Sequence, residues 1–282
     1  MNINWFPGHM KKTRELIQKN LKLVDIVYEV IDARIPISSR NPEIDQLVQS
    51  KPRLIILNKS DLASEKGNAL WKQYFEKLGY PVIFMDQDKN KSTKKLIQIT
   101  ERKMKDKREK QLAKGIVNKP IRIMIVGIPN SGKSTIINAL AGRKSTQTGN
   151  RPGVTKGKQW VKLKNNLELL DTPGILWPKF EDQKVAKNLA FTGAIKDEIM
   201  DMETLALRLV ERLIEIDPNC LAERYNVEID VENGLNTMEI IARKRGCIMK
   251  SREIDYTRIS RILLDEFRRA IIGKITLEYP EK

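Results

Sequence analysis

A chain of 282 residues with 40% hydrophobic side chains can bury a core, which excludes global disorder and leaves room for one large domain or two ordinary ones. Its 52 Lys and Arg outnumber 36 Asp and Glu, and the surplus is uneven: residues 1–177 hold 34 basic and 16 acidic side chains, residues 178–282 hold 18 and 20. Such an excess on one part points to a polyanionic partner, nucleic acid before membrane, with solubility alone as the plainer reading. Cys220 and Cys247 stand far apart and His9 is the single histidine, so a Cys/His zinc site is excluded and a reduced, cytoplasmic setting is expected. Apolar runs such as Ile123–Val126 are far too short to span a bilayer, and no membrane association is expected.

In chain order, the β-branched run 23–32 reads as a strand and 53–57 as a buried parallel strand. A helix is expected over 64–78, with Leu70, Trp71, Tyr74, Phe75 and Leu78 on one face. Pro81 opens a short strand at 82–85. Residues 91–114 read as helical and highly charged, with twelve Lys/Arg and three Asp/Glu between Lys89 and Lys119. A buried strand at 121–126 leads through a glycine-bearing loop into a helix at 133–141. Residues 158–163 and 167–170 read as paired strands across Asn165–Asn166. Strands alternating with helices predict a doubly wound, mainly parallel α/β sheet over 1–177. Beyond Pro178 only helical periodicity remains, at 181–193, 203–216, 236–245 and 255–272, which predicts a separate all-helical domain over 178–282.

Three motifs carry chemistry. Gly127-Ile-Pro-Asn-Ser-Gly-Lys-Ser134 lies between a buried strand and a helix, the setting of a phosphate-binding loop. Backbone N–H groups over Asn130, Ser131, Gly132, Lys133, Ser134 and Thr135 would cradle phosphates, with Lys133 supplying charge and the Ser134 hydroxyl a Mg²⁺ ligand. Asn58-Lys-Ser-Asp61 sits at the end of a parallel strand. There the Asp61 carboxylate can accept from both guanine N1–H and N2–H, whereas adenine would leave it facing a lone pair. The Lys59 stem can lie along the base, and Ser60 completes the turn. Asp171-Thr-Pro-Gly174 can place Asp171 near a Mg²⁺-bound water and the Gly174 N–H on the γ-phosphate, and Thr155 lies where a second Mg²⁺ ligand on a switch belongs. Together these imply GTP/GDP and Mg²⁺ as ligands, with Lys133, Thr155 and Gly174 acting at the γ-phosphate. A P-loop kinase of small molecules is disfavoured by the guanine motif. A binding module using GTP only as a structural ligand remains the competing reading of an RNA partner.

In an ordinary Ras-like GTPase the phosphate loop precedes the Asn-Lys-x-Asp motif, and here the order is reversed. With Trp5-Phe-Pro-Gly-His9-Met10, Asp32-Ala-Arg34-Ile-Pro36 and Gly153-Val-Thr155 added, the chain resembles the circularly permuted GTPases, and among them the ribosome biogenesis GTPase A family. The resemblance implies a GTPase of late large-subunit assembly whose helical domain contacts ribosomal RNA, with nucleotide state controlling association; a monomer is expected. The residue after Gly174 is Ile175, which cannot orient water, and the resemblance hands that task to His9; a surface histidine on an N-terminal arm is the alternative. It also implies K⁺ bound beside Asn130. The element closing on the base departs from the family's small-residue turn, and a backbone contact near Asp86 is expected. Arg243, Arg245, Lys250, Arg252, Arg258, Arg261, Arg268 and Arg269 are the candidate RNA cations of the helical part, against solvated helix faces. Because Gly174 lies a few residues before Leu176–Phe180, GTP and GDP are expected to reorient residues 181–282.

Overall fold

The computed structural model describes residues 10–48, 51–86, 89–142, 159–163, 165–171 and 182–281. Six strands form one sheet in the order β3-β2-β1-β4-β6-β5. They are β1 (Ile26–Asp32), β2 (Arg53–Asn58), β3 (Val82–Met85), β4 (Ile121–Val126), β5 (Gln159–Lys162) and β6 (Leu167–Asp171). All pairings are parallel except β5 with β6. The residues of β1 are buried throughout, as a parallel strand covered on both faces must be. Asn165 and Asn166 both take left-handed backbone angles, which joins β5 to β6 in the tight turn the two asparagines predict.

The pleat divides the core. Tyr28, Val30, Leu54, Ile56, Ile123 and Ile125 point to one face, beneath α4 (Lys89–Lys103) and α6 (Lys133–Ala141). The opposite face carries two clusters. One lies beneath α1 (Met10–Leu21) and α2 (Pro42–Leu47), the other beneath α3 (Glu65–Lys77). Helices on both faces make the sheet doubly wound, as expected. The chain runs from β1 out to the β3 edge, then returns through α4 and α5 (Lys105–Leu112) to start β4 on the other side of β1. This return is what lets the guanine motif precede the phosphate loop. Ligands of such sheets bind at the C-terminal strand ends where the order reverses, here between β1 and β4.

Several expectations need correction. Leu78 is half exposed because the helix ends at Lys77 and Leu78 turns away as its C-cap. The charged helix breaks at Met104, which is buried in the sheet core. The first strand starts at Ile26, and α1 and α2 flank it. The last helix stops at Arg268.

After residue 182 the described chain is helical: α7 (Gln183–Phe191), α8 (Met202–Ile216), α9 (Asn219–Tyr225), α10 (Gly234–Lys244) and α11 (Tyr256–Arg268), with one isolated bridge between Ile248 and Ile254. The short α9 has no periodic run long enough to be seen in the sequence. Side-chain carboxylates or an amide cap the starts of α7, α8, α10 and α11, through Asp182, Asp201, Asn233 and Asp255. No described helix is long and apolar enough to cross a membrane.

The helical core is not closed on itself. Ile35, after β1, and Ile128, in the phosphate loop, are buried in it. The C-terminal tail then returns along the sheet half: Leu277 N–H donates to the Arg34 carbonyl, and Thr276 Oγ1 accepts from Ser64 N–H. The Trp71 indole donates to the Glu278 carbonyl at 2.8 Å. The Glu278 carboxylate accepts from the N–H groups of Ile37 and Ser38, from the Ser38 hydroxyl and from the Asn188 amide. Any reorientation of residues 181–282 would have to break this seam.

Candidate guanine-nucleotide site

The two nucleotide motifs, 73 residues apart, meet directly. Asn58, closing β2, donates its Nδ2 to the Ser131 carbonyl at 2.7 Å. A Cβ on Gly132 would overlap that same Nδ2, and Gly132 has φ 93°, so the approach requires glycine on two counts. At the loop's other end, a Cβ on Gly127 would lie 2.5 Å from the Val30 carbonyl, which seats the loop against β1.

Gly132 is the N-cap of α6 and brings no side chain of its own to cap that end, so the first-turn N–H groups point into the loop. That is the donor set of an anion site. Lys133 is buried, with its ammonium donating to the Ile128 carbonyl at 2.6 Å, and Ser131 Oγ donates to the same oxygen. Ser134 and Thr135 follow in the first turn of α6, half exposed. These residues fit a bound phosphate chain with Mg²⁺ at the Ser134 hydroxyl.

On the base side, Ser60 donates through its N–H and its hydroxyl to the Met85 carbonyl, which ties the guanine turn to the end of β3. Asp61 is half exposed beside it. Asp86 is exposed, and its carboxylate accepts from Ser92 Oγ at 3.2 Å.

Lys59 takes a left-handed conformation, φ 57°, and its ammonium pairs with Asp32 Oδ2 at 2.9 Å. Arg34 grips the same carboxylate with Nε and Nη2, at 3.0 and 2.8 Å. Burial alone would raise the Asp32 pKa, but the Arg34 and Lys59 charges overcome it and hold the carboxyl well below the usual range. Asp32 and Arg34 therefore anchor the base-side lysine. The sequence motif drew attention to them without revealing this role; an Asp-x-Arg at a strand end was its one local signal. Arg34 also donates to the Arg268 carbonyl, and Arg268 holds the Ala190 and Phe191 carbonyls and Asp197. Guanine turn and helical core thus share one polar chain. On the phosphate side Asn130, φ 57°, donates to the Gly193 carbonyl at 2.8 Å.

His9, Thr155 and Gly174 lie outside the described residues, as does the linker Leu176–Phe180. Asp171 closes β6. Of the helical cations, Arg268 belongs to the seam rather than to an open surface. Arg245 pairs with Glu266, Arg243 with Glu239 and Arg269 with Asp265.

A family profile described as 50S ribosome-binding GTPase matches residues 122–231, from β4 onward. The Bacillus cereus protein named ribosome biogenesis GTPase A is 45% identical over 282 residues, which span all of this chain and 95% of that one. Its Thermotoga maritima namesake is 34% identical over 99% of this chain and 95% of its own length. Among solved structures, a GDP-bound YlqF aligns with TM-score 0.67 at 30% identity, covering 95% of this chain and all of that one. A GNP-bound YlqF from T. maritima aligns with TM-score 0.65 at 31% identity over 96% and 99%. The chain belongs to the ribosome biogenesis GTPase A family, and its activity is GTP hydrolysis.

Proposed function

We propose that this GTPase acts in late maturation of the large ribosomal subunit, with its nucleotide state controlling its association with the precursor particle and that particle's rRNA. The observation that carries the nucleotide half of this reading is the bond from Asn58 to the Ser131 carbonyl, which sets guanine and phosphate motifs at one site despite their reversed order. The names of the relatives and the basic nucleotide half support the ribosomal partner. GTP or GDP is read through Asn58, Lys59, Ser60, Asp61 and the chain near Asp86, and its phosphates by Asn130–Thr135. Mg²⁺ is assigned to Ser134 and Thr155, with Asp171 behind a bound water. K⁺ is assigned to Asn130, whose donated Nδ2 leaves its Oδ1 available as a ligand. Lys133, Thr155 and Gly174 stabilise charge at the γ-phosphate, and His9 positions the water that Ile175 cannot.

The reading treats residues 1–177 as the nucleotide domain and 178–282 as the helical ribosome-facing domain of a cytoplasmic monomer. The γ-phosphate contacts assigned to Thr155 and Gly174 would report phosphate loss to residues 181–282, whose orientation would change between the GTP and GDP states. Co-sedimentation with large-subunit precursors tests the reading: more chain should pellet with a non-hydrolysable GTP analogue than with GDP. Equal pelleting in both states would remove nucleotide control.

A further inference from the structure

We infer that the outer face of α4 is a binding surface for the phosphate backbone of RNA, placed on the nucleotide half of the molecule and independent of the switch segments. This rests on the reading of ribosomal RNA as partner. Lys91, Lys94, Lys95, Gln98 and Arg102 recur at i, i+3, i+4, i+7 and i+11, the spacing of one helical face, and all are exposed. Ser92, Thr93, Leu96, Ile97, Thr100 and Met104 form the buried side. The cationic face is about 16 Å long at ~1.5 Å per residue.

Three of its four cations carry no compensating ion pair among the described residues. Glu101 is the only carboxylate of α4, and it is half-buried against Arg108 at 3.8 Å. Lys94, Lys95 and Arg102 make no ion pair with any described residue. In the helical half Arg224, Arg243, Arg245, Arg268 and Arg269 are each paired with a carboxylate, while Lys250, Arg252 and Arg261 are exposed and make no ion pair with a described residue. Cations left exposed without partners keep their full attraction for a polyanion. A stripe without a carboxylate also offers no repulsion along a phosphate backbone. The stripe has no apolar residue to insert between lipids, which favours RNA over a membrane surface.

The stripe is rigidly mounted. Leu96, Ile97 and Met104 belong to the sheet core together with Ile136 and Ile137 of α6. All of these mounting residues lie outside the nucleotide motifs 58–61 and 127–134, and the surface is inferred to keep its geometry whichever nucleotide is bound.

The triple variant Lys94→Glu/Lys95→Glu/Arg102→Glu tests the inference in the full chain, with large-subunit precursors and an RNA duplex of about 16 base pairs as probes. Binding should weaken about tenfold or more at low salt, and the log–log salt slope should fall by about three, one per lost phosphate contact. The loss should be the same factor with a GTP analogue and with GDP. Reversing Lys66 and Lys77 on α3 should change far less. The neutral triple variant to Gln should lose an intermediate amount while binding GTP as the unmodified chain does, which separates lost contacts from misfolding. An unchanged slope, a loss confined to one nucleotide state, or a loss seen on phosphatidylserine vesicles instead of RNA would overturn the inference. If the unmodified chain bound neither probe, the ribosomal reading would fall and this one with it.

Discussion

The sheet half and the helical half are built on different physics. In the sheet half, main-chain pairing and buried β-branched strands place the nucleotide loops, and glycines allow those loops to touch. In the helical half, amphipathic helices with clear N-caps surround an apolar core that is left incomplete until Ile35 and Ile128 enter it. Ile128 belongs to the phosphate loop, so the second half supports the first at its catalytic edge. Their junction is polar: Asp32, Arg34 and Arg268 on the guanine side, Glu278 beneath it, and Asn130 with the Gly193 carbonyl on the phosphate side. The halves are distinct in pattern, yet neither packs its boundary alone.

Removing Arg34 should break the junction most severely. Arg34→Ala leaves the buried Asp32 carboxylate with Lys59 as its charged partner among the described residues, beside the backbone N–H of residue 34, and frees the Arg268 carbonyl, a loss of about 3–5 kcal/mol for one partner of a buried pair. Denaturant unfolding followed by two probes should show one transition in the unmodified chain and two in the variant. A drop below about 1 kcal/mol, still with one transition, would mean the halves cohere without this chain of contacts.

Glu278→Gln tests the tail alone. The amide keeps the shape but accepts less strongly from Ile37, Ser38 and Asn188, so a loss of about 1–2 kcal/mol is expected. Hydrogen exchange at Ile37 and Ser38 should rise while the amides of β4 stay protected. If both rise together, the tail is part of the global fold rather than a local clasp.

Acid should reveal the smallest effect. The Asp32 carboxyl has a folded pKa below its unfolded one, so its contribution is complete above about pH 4 and fades as pH falls through the folded value. The stability difference between the unmodified chain and Asp32→Asn should therefore be flat near neutrality and shrink below about pH 4. A difference that persisted unchanged into strong acid would mean the ion pairs contribute nothing beyond shape.

Much of the nucleotide half was legible because its signals are local. β3, β4 and α6 begin and end where apolar runs, Pro81 and the glycine loop place them, and Asn165–Asn166 turns as two asparagines predict. The phosphate and guanine motifs likewise announce chemistry through residue type and spacing, and the reversed motif order already implies the rotated topology. Helix boundaries slipped where tertiary contact outweighed periodicity, at buried Met104 and exposed Leu78. What the sequence could not determine is which distant groups meet. The Lys59–Asp32–Arg34–Arg268 chain spans more than two hundred residues, and Glu278 reaches Ser38 only because the tail folds back across α3. The same holds for charge: the sequence counts cations in both halves, and only the packing shows that Arg224, Arg243, Arg245, Arg268 and Arg269 are bonded to carboxylates while Lys94, Lys95 and Arg102 of α4 face outward. Periodicity and composition act along the chain, whereas ion pairing and seam formation depend on distances that exist only after the chain has folded.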